Sequence, residues 1–183
     1  QAGVLSFEYN YLGEKVITNS GYFQDYKHQL NIISKSSATQ STLVLNNTSS
    51  VNFERDKNGF MLASKNFKIL TKEINLEDKI WFIKASHDAY LKSNGVIHER
   101  QINYFTDKFK LQGYDKLIKT KNFKPSNFEI RFHLLPEINL TKLLNNEAIL
   151  IESKNAGWKF TCKEYKIDIE TGLYFGIKNK YLE

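Results

Sequence analysis

The residues able to do acid–base or metal chemistry are few and scattered. Four histidines, His28, His87, His98 and His133, are spread along the chain, and no two of them stand at His-x-His or His-x-x-x-His spacing. The local pattern that presents two imidazoles to one zinc ion is therefore missing. One string concentrates polar chemistry: KASHDAYLKSNGVIHERQI. In it His87 and Asp88 close one candidate strand and His98 and Arg100 lie on the next, where a hairpin would bring them together. Alternate residues of a strand point the same way, so His98 and Arg100 share a face. A His–Asp contact with an arginine beside it has two readings. It can bind an anionic sugar, with His98, Arg100 and His87 as substrate-binding residues, or it can satisfy the polar groups of a buried hairpin, the commoner use of histidines on strands.

Other reactive types carry less. No G-x-S-x-G elbow accompanies the many serines, and neither a P-loop nor a G-x-G-x-x-G string is present. Cys162 is the only cysteine; in WKFTCKEY it falls on a candidate strand beside Phe160 and reads as an inert core thiol. Lys116, Lys119, Lys121 and Lys124, with Tyr114 and Phe123 interleaved, form the best nucleic-acid candidate. Without the string of an RNA-binding module they read as a solvated loop, so a nucleic-acid partner is not expected.

The elements that position these residues are read from periodicity. Leu5, Phe7, Tyr9 and Tyr11 alternate with polar residues, and Leu12-Gly13-Glu14 turns the chain into KVITNSG, a β-hairpin pattern. Further candidate strands start at Gln40, Asn66, Lys79, Val96, Phe128, Glu147, Trp158 and Leu173, rich in β-branched and aromatic residues and separated by Asn, Gly, Asp and Lys clusters. A helical turn is expected within 22–31. Some ten short strands predict an all-β, antiparallel sandwich of stacked sheets in one domain over 1–183. The 183 residues, 41% hydrophobic and 25% charged, suffice for a sizeable core without disulfides. No apolar run approaches the roughly 18 residues of a membrane span, so no membrane partner is expected. The chain opens without Met on a strand and reads as cut from something longer, and its compartment, periplasmic or cytoplasmic, stays open. The net charge of +6 comes almost wholly from lysine, either as a compositional drift or as a surface that attracts polyanions.

The strings themselves carry a resemblance. QAGVLSFEY, VITNSGYF and SATQSTLVLNNTSS are similar to the start of the β-domain of the heparinase II/III family, bacterial polysaccharide lyases and their relatives. ASHDAY, GVIHER, LQGYDKL, IRFHLLPEI and NAGWKF resemble later segments of proteobacterial members, in order along the whole chain. The resemblance implies a β-sandwich that forms the C-terminal part of a longer chain and packs on an N-terminal helical toroid. Between the two, an acidic polysaccharide such as a glycosaminoglycan would undergo β-elimination at a uronic acid. The family's catalytic positions lie in the helical domain or just upstream of Gln1, so no catalytic residue is assigned in this chain.

The resemblance also implies a metal site and its loss. Members commonly hold zinc through a His opening the first strand, the Asp of Asp-x-Gly and the His of Ala-His-Asn-Thr. The matching positions here are Gln1, Asn19 and Gln40. Zinc favours imidazole, thiolate and carboxylate, so three amides imply no zinc cofactor. Amides can satisfy one another, and the three are expected to form a metal-free polar cluster.

Overall fold

The computed structural model describes residues 1–183 apart from 65, 125, 144–146, 177–179, 181 and 183. The fold is all-β, built from antiparallel sheets, with two short helices. The opening hairpin joins β1 (Tyr9–Tyr11) to β2 (Glu14–Ile17). Its turn residues Leu12 and Gly13 have φ of 48° and 80°, the positive pair that a two-residue hairpin of matching twist demands. The first strand is shorter than its alternation suggests, because Val4 and Leu5 form a turn of their own, with Leu5 at φ 57°.

The chain then passes through α1 (Gln29–Ile33) and a 3₁₀ turn at Ser37–Thr39 into β3 (Leu43–Leu45). His28 caps α1 by accepting the Leu30 N–H. A small hairpin follows, β4 (Phe53–Arg55) with β5 (Met61–Ala63). The largest sheet is built next, in the order β6 (Ile69–Leu76), β7 (Ile80–His87), β8 (Val96–Phe105) and β9 (Lys110–Lys119). The turn α2 (Leu91–Asn94) links β7 to β8. Then β10 (Phe128–Ile130) pairs with β3. The last sheet comprises β11 (Asn139–Lys142), β12 (Ala148–Glu152) and β13 (Gly157–Thr161).

Further expectations change. The lysine run expected as a loop is partly strand: Lys116 and Lys119 belong to β9, which pairs with β8 over ten residues. Asp115 and Leu117 face inward there, and the intervening lysines hide that alternation in the sequence. The strand expected from Leu173 is instead two isolated bridges, Gly21 with Phe175 and Tyr174 with Leu182, and its residues 177–179 lie outside the described ones. Cys162 sits one residue beyond β13, half-buried in an apolar cluster with Ile149, Ile151 and Phe160.

Three apolar clusters hold the layers. Leu43 and Leu45 of β3 pack with Tyr90 and Val96 against Leu117, Phe128 and Ile130, joining the β3–β10 pair to the four-stranded sheet. Ala2, Val4 and Val51 pack under the β4–β5 hairpin, and Ile149, Ile151 and Ile167 fill the last sheet. Aromatic rings stitch the periphery: Trp81 to Tyr104 at 5.5 Å between centroids, Tyr104 to Tyr9 at 5.7 Å, and Tyr9 to Trp158 at 5.4 Å. The Tyr9–Trp158 pair meets edge to face, with 86° between the ring planes, and the other two are tilted at 52°.

One face of the four-stranded sheet is half covered. By ladder register, Ile74 and Leu76 oppose Ile83 and Trp81, which oppose Ile102 and Tyr104, on the same face as Arg100 and His98. The His98 end is buried, whereas Ile74, Leu76, Trp81 and Ile83 are 53%, 67%, 49% and 48% exposed. Among the described residues, no helix is long and apolar enough to cross a membrane.

Gly95 fixes the local geometry where β7 turns into β8. It ends α2 at φ 66°, and a Cβ there would lie 2.3 Å from the Asn122 carbonyl oxygen. The Gly95 carbonyl in turn accepts from both the Thr120 N–H and the Thr120 hydroxyl, each at 2.9 Å. Gly13 has a similar φ but nothing within 4 Å of the same position. Gly13→Ala should thus cost only the conformational strain, about 1–2 kcal/mol. Gly95→Ala should add the cost of displacing packed backbone, about 1–3 kcal/mol more. Urea denaturation of the two variants measures the difference, and equal losses would contradict the close seat of the 120–124 loop on Gly95.

Candidate functional site

The register of β7 and β8 places His87 directly opposite His98, and that of β8 and β9 places Arg100 directly opposite Asp115. The hairpin expectation is met for the two histidines and the arginine, but the carboxylate is a different one. Asp88 turns away and accepts the Lys68 N–H at 2.6 Å. Asp115, from the far neighbour strand, accepts from His98 Nε2 at 2.6 Å and takes Arg100 in a fork, Nε to Oδ1 at 2.8 Å and Nη2 to Oδ2 at 3.1 Å.

Hydrogen-bond bookkeeping fixes the tautomers. The Ala89 N–H donates to His87 Nδ1 at 3.1 Å, so His87 carries its proton on Nε2. That proton reaches His98 Nδ1 at 3.1 Å. His98 therefore carries its own proton on Nε2 and gives it to Asp115. Both rings are neutral, and every ring nitrogen has one partner. Arg100 finishes the chain by donating from Nη1 to the Leu5 carbonyl at 3.0 Å and to the Ser41 carbonyl at 2.8 Å. His87, His98 and Arg100 are 1%, 0% and 4% exposed. The structure brings the three together, and spends their polar atoms on one another, on Asp115 and on the main chain.

The electrostatics follow from burial. Removing the imidazoles from water disfavours their charged forms. Burial, aided by the nearby His98 and Arg100, depresses His87 to about 3. Burial also lowers His98, outweighing the Asp115 hydrogen bond and charge that pull the other way. For Asp115 burial alone would raise the carboxyl, but the His98 hydrogen bond and the charge and hydrogen bonds of Arg100 hold it below the usual range. His133, on the other layer, is built in the same way. Its Nε2 donates to the Ala38 carbonyl and its Nδ1 accepts from Ser20, both at 2.9 Å, and burial lowers it too.

The opposing wall is a polar hub of which only Gln40 stands out in the sequence. Ser34, Ser37, Gln40, Ser41 and Thr42 are almost wholly buried. Their side chains serve the main chain: Ser37 and Ser50 both donate to the Ala2 carbonyl, Ser41 to Thr18 and Thr42 to Val4. A string as polar as SATQSTLVL reads as surface, and only its density of short hydroxyl side chains next to LVL marks it as buried.

The positions matched to zinc ligands do not assemble. Gln1 is exposed. Asn19 receives the Ser41 N–H on Oδ1 at 2.8 Å and donates to Glu8 at 3.4 Å. Gln40 is buried and donates to Ser34 and Thr39, while its Oε1 has no partner. Among the described residues no hydrogen bond joins any two of the three, so the expected polar cluster does not form: Asn19 is drawn off by the Ser41 N–H and Glu8, and Gln40 by the Ser34 carbonyl and the Thr39 hydroxyl. Gly3 brings backbone onto the Gln40 side chain, since a Cβ there would lie 2.9 Å from Gln40 Cγ. Neutral amide oxygens, that of Asn19 already taken by the Ser41 N–H, do not fit zinc, which favours imidazole, thiolate and carboxylate.

This buried polar chain stitches together an all-β, antiparallel sandwich. The model of the heparinase II/III-like C-terminal domain matches residues 1–182, and the chain belongs to that family. No curated protein and no solved structure matches it.

The lowered histidines set a pH dependence. The unfolded chain binds protons near the ordinary imidazole value of about 6.5, whereas folded His87 and His98 resist doing so, so stability is fully present above that value and falls as pH drops through it. For His87 the loss continues to about 3. Urea denaturation midpoints at pH 7.5 and 5.0 should therefore differ, with the acid sample less stable. Equal midpoints would contradict the neutral, buried histidines.

Proposed function

We propose that this domain is the β-sandwich part of a heparinase II/III-like polysaccharide lyase, a wall and binding surface for acidic, uronic-acid-containing polysaccharide and not a catalyst by itself. The observation that carries the second half is the direction in which the acid–base groups face. His87, His98, Arg100 and Asp115 are turned inward and occupied, so the reading of them that gains support is the structural one and not the binding of an anionic sugar. The first half rests on family membership over residues 1–182 and on the lysine-rich balance of +6, which suits a polyanionic partner.

The parent chain's helical domain is the proposed protein partner. The exposed strip of Ile74, Leu76, Trp81 and Ile83 supports this, because contiguous apolar surface of this kind is what a packed domain covers. The amides at Gln1, Asn19 and Gln40 favour a second reading, in which the parent is a non-catalytic glycan-binding or structural protein.

Two measurements on this chain test the proposal together. Incubated with heparan sulfate, it should produce no ultraviolet absorbance from a 4,5-unsaturated uronate, while calorimetry should register binding of the same polysaccharide. Turnover would overturn the non-catalytic assignment, and absence of binding to any acidic polysaccharide would overturn the substrate class.

A further inference from the structure

The lysine run that the ladder divides leaves its second half at an open cleft of about 920 Å³. The cleft lies between α2 and the 120–124 loop, and Lys92, Lys121 and Lys124 all line it. Its one acidic liner is Asp88, which has one oxygen, Oδ1, already held by the Lys68 N–H. The lining is therefore cationic overall.

The frame that carries these lysines is rigid. Besides the two bonds of Thr120 to the Gly95 carbonyl, the Lys124 N–H donates to Asn94 at 3.0 Å and the Phe123 N–H to Thr120 at 3.1 Å. Asn94, itself buried, donates onward to Ser126 at 2.9 Å. Lys121 and Lys124 thus stand on a loop locked to the end of α2, where Lys92 is anchored. Three lysines on two braced segments line one concavity and give it a positive balance that suits oxyanions.

We propose that this cleft binds an acidic saccharide, its carboxylate or sulfate groups held by Lys92, Lys121 and Lys124. Leu91, 37% exposed, offers an apolar wall for the C–H face of a sugar ring, and Asp88 and Asn122 are placed to meet ring hydroxyls. A nucleic acid suits the cleft less well. Unstacked bases need an open aromatic face, whereas the Phe123 ring is already covered by the Lys119 ammonium, 4.5 Å from its centroid. Lysines also lack the planar fork that arginine offers to phosphates and base edges. The inference rests on the acidic-polysaccharide reading above and adds the place of contact.

The test is calorimetry with a size-defined heparin octasaccharide at fixed salt, using the unmodified chain and two triple variants. One variant carries Lys92→Gln, Lys121→Gln and Lys124→Gln. The other removes equal charge elsewhere on the surface, with Lys57→Gln, Lys79→Gln and Lys163→Gln, all exposed. The cleft variant should bind about 10- to 100-fold more weakly, and the control variant should lose less than about a third of that effect on a logarithmic scale. Equal losses would overturn the site while leaving the acidic-glycan reading intact. Absence of binding by the unmodified chain would overturn both. A DNA oligonucleotide of matched charge should compete poorly, and equal competition would replace the saccharide with a phosphate polymer. All variants are exposed-surface changes, and unchanged urea midpoints would show that any loss is one of binding.

Discussion

The bidentate grip of Asp115 on Arg100 is the contact on which the packing of the two layers turns. A guanidinium with 4% exposure is tolerated only when its charge is balanced and its donors are met. Asp115 supplies the charge from β9, and the Leu5 and Ser41 carbonyls supply the remaining acceptors from the opposite layer. One side chain thus crosses the interface between the large sheet and the N-terminal segment. Breaking such a pair costs about 3–5 kcal/mol, because it strands a buried charge. His98 shares the same carboxylate and His87 shares His98, so the orientation of both rings depends on Asp115 being ionised and in place.

The opposite layer is organised to receive that contact. Leu5 presents its carbonyl because it leaves the strand conformation at φ 57°. Ser41 presents its own because Asn19 holds the Ser41 N–H and Thr18 holds its hydroxyl. The serine- and threonine-rich segment is therefore a second polar core laid against the first, and the apolar clusters lie around the pair. Such interiors gain uniqueness only when every member is satisfied. Gln40 Oε1 is one buried side-chain atom here that is not.

How much of this was legible depended on sequence separation. The opening hairpin could be read because Gly13 permits its turn. The pairing of His87 with His98 could be read because a short connection separates two alternating strands. The carboxylate could not. Asp88 is adjacent in sequence, whereas Asp115 arrives through a ladder with β8, and the strand that carries it is masked by lysines and by Gly113. The alternation Leu111, Gly113, Asp115, Leu117 was the available signal. Strands of three or four residues, such as β4, β5 and β11, give too few alternations for any period to register. The partners of Asn19 were not legible, since Glu8 and Ser41 reach it from other segments of the chain.

The histidine, arginine and aspartate chain is architecture. Imidazole nitrogen NMR on this chain reads it directly, since ring ¹⁵N shifts separate the two neutral tautomers from the cation. His87 and His98 should both appear as neutral rings protonated on Nε2 at pH 7, His87 should stay neutral at pH 5.5 while His98 titrates below the ordinary imidazole value, and both should hold their shifts when a heparin octasaccharide saturates the protein. An ordinary titration near 6.5, or ring shifts that move with the saccharide, would contradict the account and return these residues to the binding surface.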